Sequence, residues 1–356
     1  MIPTPGAPPR LWSCALPSPT LPSDRIRWVV ESIWSKMLAN PRHAGPRMSS
    51  ELRAARTLGS KERPVAGDML SGLVRHHRAL ERMDKDLVQA WYGLCERGLP
   101  DLDDPPNAYA IAVSMPDEVG AEWWARLGPV AAVALARTLA GRAPVALRVL
   151  REGFTLSVPF HRVGAHGLVL EARCNLDVEA AYKEGHVEIQ DLGSQAIVDA
   201  AGVVPGMRVM DLCAGAGGKS LSLAALGADV QAWDIRPQAL DALADRARRA
   251  RLPVRIAPPQ GRYDLVLVDA PCSGTGVLRR HPENRWKFTL PTQTQRELLD
   301  RAVRMAPTVL YATCSLLRCE NDDLVRQVAE PVEEQTIWPQ VDGPDGFYWA
   351  RLGGSA

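Results

Sequence analysis

The chain has 356 residues, of which 46% are hydrophobic, and its formal net charge is +1 at pH 7. This length allows two or three domains of ordinary globular composition. No apolar run approaches the roughly 18 residues of a membrane span, and the first twenty residues lack the basic start and unbroken apolar core of a signal peptide. Seven cysteines without CxxC pairs argue against a disulfide framework or a zinc site. We expect a cytoplasmic protein that binds neither membrane nor metal.

The N-terminal third of the sequence has the pattern of a helical domain. Residues 1–22 are rich in proline and predict a poorly ordered tail. After the candidate cap Asp24, apolar residues from Ile26 to Met37 recur at helical spacing. Similar periodicity near residues 65–83, 85–96 and 121–140 predicts an all-α domain over residues 23–141.

The net charge of the chain is only +1, but nine arginine and lysine residues lie in one part of this helical region. The residues are Arg42, Arg47, Arg53, Arg56, Lys61, Arg63, Arg75, Arg78 and Arg82. They could bind nucleic-acid phosphates, or they could be the solvated faces of helices. The sequence favours neither interpretation.

Short strand-like runs follow over residues 142–191, including residues 145–150 and Gly167–Leu170, and predict a small α+β subdomain. After Leu192, apolar runs alternate with helix-like segments. This alternation predicts a Rossmann-like, doubly wound α/β sheet over residues 192–356.

The first strand of that sheet leads into a glycine-rich turn, DLCAGAGGKS from Asp211. A turn of this kind between a strand and a helix lets backbone amides approach a ligand, and its spacing differs from that of a P-loop. The next predicted strand ends in Asp234. This acid could accept hydrogen bonds from ribose hydroxyls, or it could cap the helix that begins near Pro237.

Two further apolar runs each lead to a cysteine. Cys272 lies in DAPCSGTG from Asp269, and Cys314 lies in YATCS from Tyr311. If both runs are parallel strands of one sheet, both thiols emerge at its carboxyl edge, where such folds bind ligands. Either cysteine alone would be interpreted as an ordinary buried residue. Together they indicate covalent catalysis on a flat substrate. Arg279, Arg280, Arg285 and Lys287 follow the Cys272 motif directly, and their position favours contact with nucleic-acid phosphates.

These motifs, with the VLRRHPE after DAPCSGTG, Glu320-Asn321 after YATCS, and DGFYWARL from Asp345, resemble the RsmB (Sun) family of RNA cytosine-5 methyltransferases. The segments APVALRV from Ala143 and YKEGHVEIQDLGSQ from Tyr182 resemble the small subdomain of that family. The segment LGSKERPVAGDMLSGLVRHHRALERM resembles its NusB-like RNA-binding domain.

The resemblance implies S-adenosylmethionine as methyl donor and RNA, in the first instance ribosomal RNA, as substrate. It implies that the Cys314 thiolate adds to carbon 6 of cytosine and that Asp269 is the acid or hydrogen-bond partner of ring nitrogen 3. It also implies that Cys272 assists the departure of the Cys314 sulfur from the methylated base. It assigns the cofactor to Cys213, Ala214, Gly215, Ala216, Gly217, Gly218 and Lys219 around the methionine part, Asp234 at the ribose and Asp269 near the methyl group. Lys183, Gln190 and Asp191 either line the base pocket or lie on the surface.

The sequence departs from the family pattern at the cofactor. Residues 254–259 lack the acid that usually contacts adenine, and Ala216 stands where proline is usual. The missing acid favours one alternative, a catalytically silent RNA-binding assembly factor that has kept the fold. A tRNA cytosine-5 methyltransferase is the other alternative, within the same class of enzyme. We expect a monomer.

Overall fold

The computed structural model describes residues 23–82, 86, 89–91, 107–172 and 174–353. The predicted tail and most of the predicted helix at 85–96 lie outside these residues. The chain divides into two compact units. The first, called the helical unit, comprises residues 1–142 and 277–288. The second, called the α/β unit, comprises residues 143–276 and 289–356.

Amphipathic helices build the helical unit, and their apolar faces form its core. The helices are α1 (Asp24–Ala39), α2 (Ala44–Ala54), α3 (Glu62–Arg75), α4 (His77–Leu80), α5 (Asn107–Ala112) and α6 (Asp117–Ala140). The cap of α1 is Ser23, whose Oγ accepts from the backbone N–H of Ile26, so Asp24 is the first helical residue rather than the predicted cap. Helix α6 is interrupted at Gly128, whose φ of 70° is non-helical, just before Pro129.

The segment Val277–Phe288 follows the Cys272 motif in sequence but packs within the helical unit. Its Arg285 is 6% exposed and donates to the backbone carbonyls of Val113, Leu139 and Leu278. Arg279 is 2% exposed, and its carbonyl accepts from Arg75. The predicted RNA role of this basic segment is therefore wrong for Arg279 and Arg285, because buried guanidinium groups cannot reach a phosphate backbone.

The α/β unit opens with a four-stranded antiparallel sheet in the order β2-β3-β1-β4. Its strands are β1 (Ala146–Val149), β2 (Phe160–Val163), β3 (Gly167–Leu170) and β4 (Val187–Ile189), and a short helix α7 (Ala180–Lys183) precedes β4. Arg148 of β1 is buried, and its guanidinium pairs with Asp199 of the next helix, α8 (Leu192–Ala200). This contact docks the small sheet against α8.

The main sheet has seven strands in the order β10-β11-β9-β8-β5-β6-β7. Its strands are β5 (Arg208–Asp211), β6 (Asp229–Ala232), β7 (Val254–Ile256), β8 (Leu265–Asp269), β9 (Thr308–Thr313), β10 (Glu333–Ile337) and β11 (Phe347–Gly353). The intervening helices are α9 (Gly218–Ala225), α10 (Pro237–Ala250), α11 (Thr292–Ala302) and α12 (Asp322–Val325).

Strands β5 to β9 run parallel, while β11 is antiparallel to β9 and forms a hairpin with β10. Strand β8 is buried on both faces, as the apolar run at 265–268 predicts. The predicted α/β fold class is confirmed. Strand β11, which contains most of the DGFYWARL motif, pairs with β10, and β10 is the edge strand.

Candidate active site

The two motif cysteines meet at the carboxyl edge of the main sheet. Cys272 follows β8 and Cys314 follows β9, and these strands are parallel neighbours with Asp269 opposite Ala312. Their Sγ atoms lie 3.3 Å apart, and both residues are half-buried. Hydrogen bonding to Cys314, burial and the nearby charges of Cys314 and Glu320 raise the pKa of Cys272 well above its usual value. The pair therefore holds a proton tightly on the Cys272 side.

Beside the thiols lies an ion pair between the buried Lys219 and the half-buried Asp269. Asp269 ends β8, and its Oδ2 is 2.6 Å from Nζ of Lys219, which lies in the first turn of α9. Burial alone would lower the pKa of Lys219, but the charges of Asp269, Asp211 and Cys314 outweigh it and raise that pKa. Lys219 also lies 5.9 Å from the Phe347 ring centroid. A charged lysine is thus held at the sheet edge.

The glycine-rich turn carries the predicted contacts to the methionine part, Cys213, Ala214, Gly215, Ala216, Gly217, Gly218 and Lys219. Gly215 and Gly217 have φ values of 54° and 83°, a region that favours glycine. A Cβ atom on Gly217 would lie 2.6 Å from Leu243 Cγ, so α10 approaches the turn closely. Burial raises the pKa of Cys213, which therefore stays a neutral thiol.

Asp234 follows β6 and is 5% exposed. Its Oδ2 accepts from the backbone N–H of Gly215 at 2.8 Å, and its Oδ1 accepts from that of Arg236 at 2.9 Å. The exposed Arg236 guanidinium also pairs with it, and these hydrogen bonds hold the pKa of Asp234 below its usual value. The carboxylate is charged and fixed against the turn. The cap position of α10 is Arg236, so the predicted alternative role of Asp234 as that cap is wrong.

The strand end near which adenine is predicted to bind has an apolar residue in place of an acid. Strand β7 ends at Ile256 without an acid, and Ile235, next to Asp234, is 89% exposed. An exposed isoleucine at a sheet edge offers a flat ligand an apolar contact.

Two of the three small-subdomain residues have structural partners. Gln190 is buried, and its Oε1 accepts from the Ser222 hydroxyl of α9. Asp191 caps α8 by accepting from Gly193 N–H, and it also accepts from Asp345 N–H. Lys183 ends α7 and is exposed.

Sequence reasoning missed a hydrogen-bond network behind the thiols. Glu320 is fully buried, and its carboxylate accepts from Ser273 N–H and Ser273 Oγ at 2.8 and 2.5 Å and from Gln295 at 3.1 Å. Asn321 links Thr313 to Ser315 on the other side. The only sequence signal was the pair Glu320-Asn321 itself, which the family motif includes without indicating a role.

In the part of the chain that the structure describes, no group of three or more His, Cys, Asp and Glu side chains is arranged to hold a metal ion. Within the same residues, no helix combines the length and apolarity that a bilayer crossing requires.

The strand order, the glycine turn and the paired thiols define a methyltransferase-type α/β domain. Residues 203–335 match the model of the family described as 16S rRNA methyltransferase RsmB/F, and this match confirms the predicted resemblance to the RsmB family. Ribosomal RNA small subunit methyltransferase B of Erwinia tasmaniensis is 32% identical over 222 residues, which cover 52% of this chain and 52% of that protein. The chain thus spans about half the length of the curated relatives it matches.

Solved structures show the same fold at low sequence identity. PH0851 has a TM-score of 0.73 and 19% identity, over 94% of this chain and 100% of that one. NSun6 from Pyrococcus horikoshii, solved with SFG, has a TM-score of 0.59 and 16% identity, over 68% of this chain and 98% of that one.

Proposed function

We propose that this protein is an S-adenosylmethionine-dependent methyltransferase that modifies carbon 5 of a cytosine in ribosomal RNA. The observation that carries the proposal is the 3.3 Å contact between the Cys272 and Cys314 sulfurs beside the Lys219–Asp269 pair. The RsmB/F family of residues 203–335 and the name of the Erwinia relative support ribosomal RNA as the substrate.

The chemistry explains why two thiols and an acid are needed. Carbon 5 of cytosine is a weak nucleophile until a thiolate adds to carbon 6, and this addition pushes an electron pair toward ring nitrogen 3. In the proposed reaction Cys314 forms the bond to carbon 6. Asp269, next to the Lys219 charge, supplies or holds the proton at nitrogen 3.

The bound S-adenosylmethionine supplies the electrophilic methyl group. After carbon 5 has taken it up, a base removes the carbon 5 proton, the carbon 5–carbon 6 double bond re-forms, and the pair of the carbon–sulfur bond returns to Cys314. Cys272, in contact with the departing sulfur, assists this release.

The residues around the glycine turn fit this cofactor. Gly215 and Gly217 allow close backbone approach, and the charged Asp234 carboxylate lies against the turn. A ribose would share Asp234 with the solvent-exposed Arg236 side chain, which can move away. With no acid at the end of β7, the proposed adenine contact is the exposed Ile235.

The division of labour between the thiols gives the test. Cys314→Ala should abolish methyl transfer, because no thiolate then adds to carbon 6. Cys272→Ala should accumulate a covalent protein–RNA adduct through Cys314, seen as a denaturation-resistant band on gels, and the double variant should form none. An adduct that persists in the double variant would contradict these roles.

Two further measurements separate the proposed function from its alternatives. Bisulfite sequencing of total RNA with and without the gene shows whether a ribosomal or a transfer RNA cytosine loses its methyl group. A protein that forms no adduct with either RNA and does not bind S-adenosylmethionine would be the silent assembly factor instead.

For the helical unit we propose an RNA-binding role at the corner between α2 and α3. Arg53, Arg56 and Lys61 are exposed there, and no carboxylate among the described residues pairs with them. Other members of the basic cluster are engaged: Arg78 pairs with Asp117, and Arg63 donates to the Ala55 carbonyl. This corner leaves positive charge available for phosphate groups.

A further inference from the structure

The two sulfurs of the candidate active site face charges of opposite sign. On the Cys272 side lies the buried Glu320 carboxylate, whose charge contributes to raising the pKa of Cys272. On the Cys314 side lies the Lys219 ammonium, whose pKa is lowered by burial and raised by Asp269, by Asp211 and, least of the three, by the Cys314 charge. The electrostatic field across the 3.3 Å contact therefore has a direction.

Glu320 is held in place by neutral groups. Its oxygens accept from Ser273 N–H, Ser273 Oγ and Gln295 Nε2, and Gln295 also donates to the Pro271 carbonyl. No lysine or arginine among the described residues forms an ion pair with it. A buried carboxylate that is hydrogen-bonded but not neutralised acts strongly on its surroundings. Because Ser273 adjoins Cys272, the charge is fixed next to that sulfur.

The other titratable groups around the pair modify this asymmetry without reversing it. Asp269 lies 2.6 Å from Lys219 and offsets part of its charge, and Asp211 is a weaker influence on the same lysine. Cys213 and Tyr311 stay neutral because burial raises the pKa of each. The negative charge on the Cys272 side is that of Glu320, and the positive charge on the Cys314 side is that of Lys219.

We propose that Glu320, with Lys219 opposite, keeps the shared proton on Cys272 and thereby makes Cys314 the thiolate. The inference deepens the proposed function, since it explains which of two touching sulfurs attacks. The side-chain hydrogen bonds of Glu320 go to Ser273 and Gln295 rather than to a sulfur, so Glu320 is a positioning residue. It fixes the Cys272 loop through Ser273 and sets the proton distribution through its charge.

Alkylation of the full-length protein by iodoacetamide tests the proposal without RNA or cofactor. A thiolate attacks the carbon that bears iodine, a sulfur–carbon bond forms and iodide leaves, so each sulfur is labelled in proportion to its thiolate population. Peptide mapping should find the label mainly on Cys314. In Glu320→Gln, the Cys272 to Cys314 label ratio should rise about threefold to tenfold, because a unit charge acts more strongly on the nearer sulfur.

Three variants make the result decisive. Ser273→Ala removes a hydrogen bond to Glu320 but keeps its charge, and Asp323→Asn removes an exposed carboxylate paired with Arg318. Both should keep the parent ratio. Lys219→Gln should also raise the Cys272 to Cys314 label ratio, but by a smaller factor than Glu320→Gln does. If Glu320→Gln does not fold, the label ratio of Lys219→Gln is the test of the proposed field.

Labelling mainly at Cys272 in the parent, or an unchanged ratio in folded Glu320→Gln, would overturn the proposal. The adduct experiment with RNA tests the proposed function separately, so the two can fail independently.

Discussion

Asp211 is a buried carboxyl group directly below the glycine turn. It ends β5, is 1% exposed, and its Oδ2 accepts from the Ser220 hydroxyl at 2.6 Å. Burial raises its pKa to about 7, and the charge of Asp269 adds to this shift, while Ser220 and Lys219 oppose it. A fraction of the molecules therefore carries a neutral Asp211 near pH 7, next to the proposed cofactor site.

This shift predicts a stability that falls as the pH rises. The folded-state pKa of about 7 exceeds the unfolded value near 3.9, so Asp211 loses its proton in the unfolded chain at a lower pH than in the native state. As the pH rises between these two values, the unfolded state is stabilised relative to the native state. Stability should decrease from about pH 4 to pH 7 and then level off, by about 4 kcal/mol at most, since one pKa unit is about 1.4 kcal/mol. Asp211→Asn should remove this slope, as measured by urea unfolding at pH 5 and pH 8.

The matched control is Asp264→Asn, which removes an exposed carboxylate that accepts from Arg208 N–H at the opposite end of the sheet. It should leave the pH dependence unchanged. If the pH profile of Asp211→Asn runs parallel to that of the parent, the buried carboxyl group is not the source of the slope.

At the scale of single residues, the sequence identified side chains whose chemistry is rare at a strand end. Cys272, Cys314 and Asp269 lie together as their motifs predict. The role of Glu320 could not be predicted, because its partner Ser273 is 47 residues away in sequence. A glutamate in a polar segment otherwise predicts a solvated surface.

At the scale of elements, apolar runs and turns predicted the strands of the main sheet well. Strand β8 occupies the run around Val266, and β3 covers the predicted Gly167–Leu170. The segment Val277–Phe288 was misjudged because its arginines suggest exposure, whereas backbone carbonyls of the helical unit accept the hydrogen bonds of Arg285. Acceptors supplied from distant parts of the chain leave no local signal.

The corner between α2 and α3 carries the prediction at this scale. Charge reversal by Arg53→Glu and Lys61→Glu should weaken RNA binding, because it removes two exposed cations. The logarithm of the association constant decreases with the logarithm of the salt concentration. The magnitude of this slope should decrease by about one for each phosphate group that the protein no longer binds. Arg248→Glu is the control, since Arg248 is exposed on α10 and pairs with Asp245. Equal salt slopes for the charge reversal and this control would remove the corner from the RNA-binding surface.

At the scale of the whole molecule, the two units interleave in sequence. The helical unit contains residues 277–288, which lie between two parts of the α/β unit. Periodicity predicted a helical region followed by an α/β region, and this order holds for most of the chain. Periodicity could not predict that residues 277–288 pack in the helical unit, because this packing depends on contacts between residues more than a hundred positions apart.

At this scale the prediction concerns Arg285, which anchors residues 277–288 in the helical unit. Its guanidinium donates at 2.9, 3.0 and 3.4 Å to the carbonyls of Val113, Leu278 and Leu139. Burial and the charge of Arg75 lower the pKa of Arg285 to about 9, so it remains charged at pH 7. The neighbouring Trp286 ring packs 5.2 Å from that of Trp34.

Arg285→Met should therefore destabilise the helical unit by roughly 3 kcal/mol, because the buried carbonyls lose their donor. Hydrogen exchange followed by mass spectrometry should show faster exchange in 277–288 and at the ends of α5 and α6, with strands β5 to β9 unchanged. Arg82→Met, an exposed arginine of the same unit, is the control and should alter neither region. Unchanged exchange in 277–288 would mean that Arg285 does not anchor the segment, and that the apolar packing of Trp286 suffices to hold it.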